Sequence, residues 1–306
     1  PTCPYPNPEI FEALRLGLEL AEKTGADLML ATDPDADRVG IAIRCPDGSY
    51  QLVSGNEVGV LLLDYICAGR IEKGTMPKNP VAVKSLVSTP LADAVAKSYG
   101  VEMRNVLTGF KWIGDQIARL EAAGEVDRFI FGFEESYGCL VGTHARDKDA
   151  IVAVMALCEA AAYYKKQGLT LWDQMVNIYE KYGYYREGLK SITLKGVEGV
   201  AKIKEMLDNL REHTPEKFGD FTVLSARDYD RDVIVDMKTG EKKPTGLPKS
   251  NVLYYDLNDG AWCCARPSGT EPKVKFYMGV KGTSFDDAQT KLAALSDAVM
   301  KVVTGE

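Results

Sequence analysis

The sequence predicts an α/β chain that ends in a separate α+β module with an antiparallel sheet. Three observations carry this expectation. Between Glu57 and Tyr182, short apolar runs alternate with segments of helical spacing, the pattern of α/β units on a mostly parallel sheet. After Gly183 the texture changes to short strands and turns, closed by one long amphipathic segment. Finally, 306 residues with 45% hydrophobic and 26% charged side chains have the balance of a globular protein of two or three domains.

Taken in order, the chain opens on an extended Pro-rich stretch, after which Asn7 is expected to cap a helix with Pro8 at its first position. Leu14, Leu18 and Ala21 follow at helical spacing, and Gly25 ends the helix as a left-handed residue. Leu28–Ala31 reads as a strand, Asp33–Arg38 as an acidic loop, Val39–Ile43 as a second strand and Cys45–Ser49 as a turn. Helices are expected at Glu57–Ala68, Leu91–Ser98, Lys111–Ala122, Asp149–Lys165 and Leu171–Lys181, with strands at Val81–Val87, Val101–Val106 and Phe129–Phe131. In the C-terminal part, a strand near Leu189–Leu194 precedes a helix from Val197 to Leu210. The stretch His213–Lys249 holds short strands and turns. Strands at Val252–Leu257, Ala261–Ala265 and Val274–Met278 then lead to a final helix, Phe285–Val303.

Composition narrows the function. A formal net charge of −7 argues against a uniform nucleic-acid binder. No apolar run approaches the ~18–20 residues that cross a bilayer. Seven Cys without a CxxC pair, no glycosylation sequon and no signal peptide point to a reducing, cytoplasmic compartment, and Cys263 and Cys264 are expected on opposite faces of one strand.

Four loops carry chemistry. In Asp33-Pro34-Asp35-Ala36-Asp37-Arg38, carboxylates at i, i+2 and i+4 after a strand can converge on one hard cation, and an all-oxygen set suits Mg²⁺ or Ca²⁺ rather than Zn²⁺. An EF-hand fails, because Arg38 and Arg44 stand where Gly and Glu are needed. A dehalogenase-type nucleophilic Asp fits poorly, because that motif has an apolar or hydroxyl residue where Asp37 stands, and an acidic surface turn stays open. Thr108-Gly109-Phe110-Lys111 sits at a helix entry, where free N–H groups favour anions, with a plain Thr108 N-cap as the alternative. Gly132-Phe133-Glu134-Glu135-Ser136-Tyr137-Gly138 places carboxylates and a hydroxyl at the C-terminal end of a strand, in a spacing that suits the vicinal hydroxyls of a sugar. Behind it, Lys148 in Arg146-Asp147-Lys148-Asp149 is a proton donor, a phosphate contact or part of a solvated turn. In Arg266-Pro267-Ser268-Gly269-Thr270-Glu271-Pro272-Lys273-Val274-Lys275, Arg266, two hydroxyls, Gly269 and Lys275 make a phosphate cradle, with a polar hairpin turn as the alternative.

This ordered set resembles the α-D-phosphohexomutase superfamily over essentially the whole chain. The Glu-Glu-Ser-Tyr-Gly form with Arg-Asp-Lys-Asp behind it is most similar to the long-subgroup bacterial members of the phosphoglucomutase/phosphomannomutase family. Phosphomannomutases and phosphopentomutases share much of the pattern. The resemblance implies mixed three-layer α/β domains followed by the α+β domain: 1–50 as the C-terminal part of the second family domain, 51–185 as the third and 186–306 as the fourth.

By the same resemblance, Asp33, Asp35 and Asp37 hold Mg²⁺. Arg38 orients substrate or phosphoserine, and Lys148 is the candidate general acid/base. Thr108, Gly109, Lys111, Glu134 and Ser136 meet the sugar. Arg266, Ser268, Gly269, Thr270 and Lys275 hold the phosphate that is not transferred. The implied reaction interconverts hexose 1- and 6-phosphates through a phosphoserine and glucose 1,6-bisphosphate. The nucleophilic loop of the family, Thr-x-Ser-His-Asn-Pro-like, has no counterpart here, since neither His144 nor His213 follows a Ser. The expectation is therefore a C-terminal fragment, inactive alone, whose partner is an N-terminal phosphoserine domain. A sugar-phosphate binding module without catalysis is the competing class. The second-domain remnant is expected to expose a sheet edge open to dimerisation or local disorder.

Overall fold

The computed structural model describes residues 3, 5–194, 196–268 and 271–305, and divides into two compact units, Pro1–Tyr182 and Gly183–Glu306. The first unit opens with helix α1 (Phe11–Thr24), whose Leu14, Leu18 and Ala21 pack on Met29 and Ala42 of a three-stranded antiparallel sheet. That sheet runs β1 (Leu28–Thr32), β2 (Val39–Arg44), β3 (Tyr50–Val53) in spatial order. Asn7 does not cap α1. Its Oδ1 instead accepts the Glu9 N–H at 3.0 Å within a turn, and Ile10 is the helix boundary, without a side-chain cap. A short side chain that can close its own turn competes with the cap for the same oxygen. Gly25 ends the helix at φ +65°.

The rest of the first unit is an α/β/α layer. In chain order it comprises α2 (Gly55–Glu72), β4 (Val81–Ser85), α3 (Leu91–Ser98), β5 (Glu102–Val106), α4 (Phe110–Ala122), β6 (Phe129–Phe133), β7 (Cys139–Val141), α5 (Ala150–Lys165) and α6 (Leu171–Tyr182). The sheet order is β5-β4-β6-β7, with β4 parallel to β5 and β6 and β7 antiparallel to β6. Helix α2 starts at Gly55 because Ser54 and Glu57 form a reciprocal capping box. A buried carboxylate ties the helices together: Asp64 accepts from Tyr99 (2.8 Å), Gln174 (2.8 Å) and Tyr164 (3.2 Å), so α2 is joined to α5, α6 and the end of α3.

The second unit is the expected α+β module. Strands β8 (Tyr184–Thr193), β9 (Lys217–Phe218), β10 (Phe221–Asp228), β11 (Val233–Asp236), β12 (Lys242–Lys243), β13 (Leu253–Leu257), β14 (Trp262–Pro267) and β15 (Lys273–Gly282) form one antiparallel sheet, with helices α7 (Gly196–Glu212) and α8 (Phe285–Thr304). Its core gathers Leu207, Phe218, Tyr255, Cys263, Phe276, Met278 and Leu295. Strand β8 runs longer than its sequence indicates, beginning at Tyr184. Arg186, Glu187 and Lys190 break any apolar run, and it is the ten-residue pairing with β15 that holds the strand straight. No helix among the described residues is long and apolar enough to cross a membrane.

Candidate functional site

The acidic loop begins where β1 ends. Asp33 is 3% exposed and organises the turn. Its Oδ1 accepts the backbone N–H groups of Asp37 and Arg38, each at 3.0 Å, while its Oδ2 accepts Arg38 Nε at 2.7 Å. One oxygen each from Asp33, Asp35 and Asp37 lies within 4.8 Å of the others, close enough to share one cation. The donor set is all oxygen, which suits a hard divalent ion. Burial alone would raise the Asp33 carboxyl, but the N–H and guanidinium of Arg38 outweigh it and hold it at about 2. Asp37 is raised, burial being the main cause, despite the Lys148 ammonium beside it.

Lys148 reaches the same loop from the segment before α5. Its Nζ lies 2.9 Å from Asp37 Oδ2 and 3.3 Å from Asp147 Oδ1, and sits 5.6 Å from the centre of the Phe110 ring. Burial would depress the amine, and the two aspartates more than offset it. The Lys148 alkyl chain crosses Gly138, where a Cβ would stand 2.1 Å from Lys148 Cδ, so only glycine leaves room for this path. Arg38 is also paired with Glu9 at 3.3 Å.

The acidic loop and the Glu134–Gly138 loop are joined by backbone. Val39 N donates to Tyr137 O at 3.1 Å, Arg38 and Gly138 form an antiparallel bridge, and Ala150 N donates to Ala36 O at 3.0 Å. Glu134, 5% exposed, accepts the Gly109 N–H at 2.7 Å and thereby fixes the loop before α4. Gly109, not Thr108, is the boundary residue of α4, so the Thr108 cap is corrected: no side chain caps this helix. Thr108 and Ser136 are half-buried, whereas Lys111 is exposed, with its ammonium 4.9 Å over the Trp112 ring. The first unit thus gathers Asp33, Asp35, Asp37, Arg38, Lys148 and Glu134 around connected loops.

In the second unit, β14 and β15 set Arg266 directly opposite Lys275, which puts both side chains on one face of the sheet. Ser268 N donates to Lys273 O at 2.7 Å, and Ser268 Oγ accepts the Glu271 N–H at 3.2 Å, closing the turn between the strands. Gly269 and Thr270 lie outside the described residues.

The structure also shows polar residues that the sequence motifs do not mark. Lys84 and Ser85, the last residues of β4, and Ser88 in the turn after it are all buried, and Ser85 Oγ donates to Glu135 Oε2 at 2.7 Å. The one sequence signal is a Lys-Ser pair closing an otherwise apolar strand, which is costly without partners.

Comparisons with known proteins bear on the fold and descent of the chain. The description of phosphoglucomutase/phosphomannomutase alpha/beta/alpha domain III matches residues 54–182, and that of domain II matches residues 1–48, together more than half of the chain. A phosphoglucomutase of Staphylococcus aureus is 37% identical over 289 residues, which cover 94% of this chain and 51% of that protein. The chain therefore spans about half the length of the curated relatives it matches. Among solved structures, the open form of the Paramecium phosphoprotein parafusin (a phosphoglucomutase) superposes over 98% of this chain and 51% of its own, with TM-score 0.65 and 20% identity. A phosphoglucomutase/phosphomannomutase family protein of Burkholderia thailandensis covers the same shares, with TM-score 0.61 and 16% identity. These two likenesses bear on the fold, and the matched domain descriptions bear on descent: the chain belongs to the phosphoglucomutase/phosphomannomutase family.

Proposed function

We propose that this chain carries the metal, sugar and phosphate loops of a phosphoglucomutase, which interconverts α-D-glucose 1-phosphate and glucose 6-phosphate through a phosphoserine and glucose 1,6-bisphosphate. The observation that carries the reading is the backbone-tied pair of loops in the first unit, with a three-carboxylate cluster on one and Glu134 on the other, and Lys148 reaching between them. In this reading residues 1–50, 51–185 and 186–306 are the end of the second family domain, the third and the fourth. Asp33, Asp35 and Asp37 would hold Mg²⁺, which would supply charge neutralisation at the transferring phosphoryl group. Arg38 orients the phosphoryl oxygens, and Lys148 moves the proton of the reacting sugar hydroxyl. Glu134 and Ser136, with Thr108, Gly109 and Lys111, hold sugar hydroxyls. Arg266, Ser268, Gly269, Thr270 and Lys275 clamp the distal phosphate.

The phosphoserine is taken to come from outside these 306 residues, which carry no Ser-His sequence. The seven free cysteines accord with a cytoplasmic setting. Strand β1 pairs with β2 alone among the described strands, and pairing of two copies along its other edge is part of the proposal.

A coupled assay with Mg²⁺ and a trace of glucose 1,6-bisphosphate tests this. The chain alone is expected to give no turnover. Adding the N-terminal half of a relative is expected to restore activity, and Lys148→Ala to abolish it. Turnover by the chain alone would overturn the external phosphoserine. Binding without turnover in the restored pair would favour a non-catalytic sugar-phosphate module. Preference for mannose or ribose phosphates would point to a phosphomannomutase or phosphopentomutase.

A further inference from the structure

The turn after β4 grips the Glu134–Gly138 loop from below. Ser85 and Ser88 are 0% and 1% exposed. Ser85 Oγ donates to Glu135 Oε2 at 2.7 Å, Ser88 Oγ lies 3.4 Å from the same oxygen, and the two hydroxyls are 2.9 Å apart. The turn itself is pinned by Lys84, whose buried Nζ donates to Ser88 O at 3.1 Å and pairs with Asp93 Oδ2 at 3.1 Å. On another side the first residue of α2 presses on the loop: a Cβ on Gly55 would stand 2.3 Å from Glu135 O and 2.6 Å from Tyr137 N. Tyr137 holds φ +69°, a left-handed conformation that a bulky residue keeps only when its surroundings enforce it. Glu135 is therefore anchored in the β4 turn, while its neighbour Glu134 is committed to Gly109.

We propose that Ser85 and Ser88, acting through Glu135, are positioning residues for the sugar end of the site. They fix the peptide that presents Glu134 and Ser136 to the hydroxyls of a hexose phosphate. The inference rests on the sugar-binding reading of that loop. An apolar contact would hold the loop without choosing its orientation, whereas directed hydrogen bonds to a carboxylate choose one. Misplacement of a gripping group by about 1 Å costs on the order of 100-fold in a reaction that depends on alignment.

The test uses the whole ¹⁵N-labelled chain, titrated separately with glucose 1-phosphate, glucose 6-phosphate, inorganic phosphate and Mn²⁺. The double variant Ser85→Ala/Ser88→Ala is expected to lose about tenfold in affinity for both hexose phosphates. Its Gly109 amide is expected to shift and to exchange faster, with Mn²⁺ and inorganic phosphate binding unchanged. Glu135→Gln, which keeps an oxygen acceptor for both hydroxyls, is expected to retain most of the affinity. Hexose phosphate binding within twofold of wild type, with an unmoved Gly109 amide, would overturn the proposal. So would a parallel loss of Mn²⁺ binding, which marks general unfolding. If the wild-type chain binds no hexose phosphate, the sugar reading fails on its own. Exchange at Gly109 then decides the positioning claim, with faster exchange in the double variant supporting it and equal exchange overturning it.

Discussion

Asp37 is where a side chain and a cation compete. Its Oδ2 faces the Lys148 ammonium at 2.9 Å, and the same carboxylate belongs to the three-oxygen cluster. A divalent ion drawing on Asp37 must share or displace that partner. Lys148→Met is therefore expected to bind Mn²⁺ more tightly than wild type, by about tenfold if the pair contributes ~1.4 kcal/mol. Paramagnetic titration reads this directly. Unchanged Mn²⁺ affinity would show that Lys148 and the ion use different oxygens. The carboxylates of this loop are legible in sequence because they sit within six residues, whereas the partner of Asp37 comes from more than a hundred residues away and only folding brings it there.

At the scale of elements, two polar contacts hold helices in place. Asp149 caps α5, accepting the N–H groups of Ile151 (2.9 Å) and Val152 (3.0 Å), with His144 Nε2 at 2.8 Å. Burial works against the charged form of Asp149, but these partners win and hold its carboxyl below the ordinary 3.8. A depressed carboxyl stabilises the fold above its unfolded value, and the contribution fades as pH falls below 3.8 through the folded value. Asp149→Ala is expected to cost about 1 kcal/mol at pH 7 and less at pH 3, read by urea unfolding at both. An equal cost at both pH values would contradict the cap's ionisation. Asp64→Ala is expected to cost more, about 3 kcal/mol, because it removes the acceptor shared by the buried Tyr164 and the half-buried Tyr99 and Gln174. The sequence shows the periodicity of these helices but not the Asp64 network, whose partners lie 35, 100 and 110 positions away. It also conceals β3 and β7, which at four and three residues are too short for an alternation to register.

At the scale of the molecule, the change of texture after Gly183 is the most legible feature, because α/β alternation and antiparallel strands leave different periodicities in the chain. It coincides with the boundary between the compact units at Tyr182 and Gly183. The second unit buries its own core, with Leu207, Phe218, Phe276 and Leu295 each at most 2% exposed, and domains with a separate core fold alone. Residues 183–306 expressed by themselves are therefore expected to unfold in one cooperative transition. They carry Arg266 opposite Lys275, so they are also expected to bind inorganic phosphate weakly. Arg266→Ala should abolish that binding without moving the transition, since Arg266 is only partly buried and lies outside the hydrophobic core. Calorimetry and a phosphate titration on the wild-type and variant fragments decide the matter. A broad, non-cooperative transition would show that the second unit needs the first for its stability. A fragment that folds but binds phosphate equally well with and without Arg266 would remove the cradle from the proposed site.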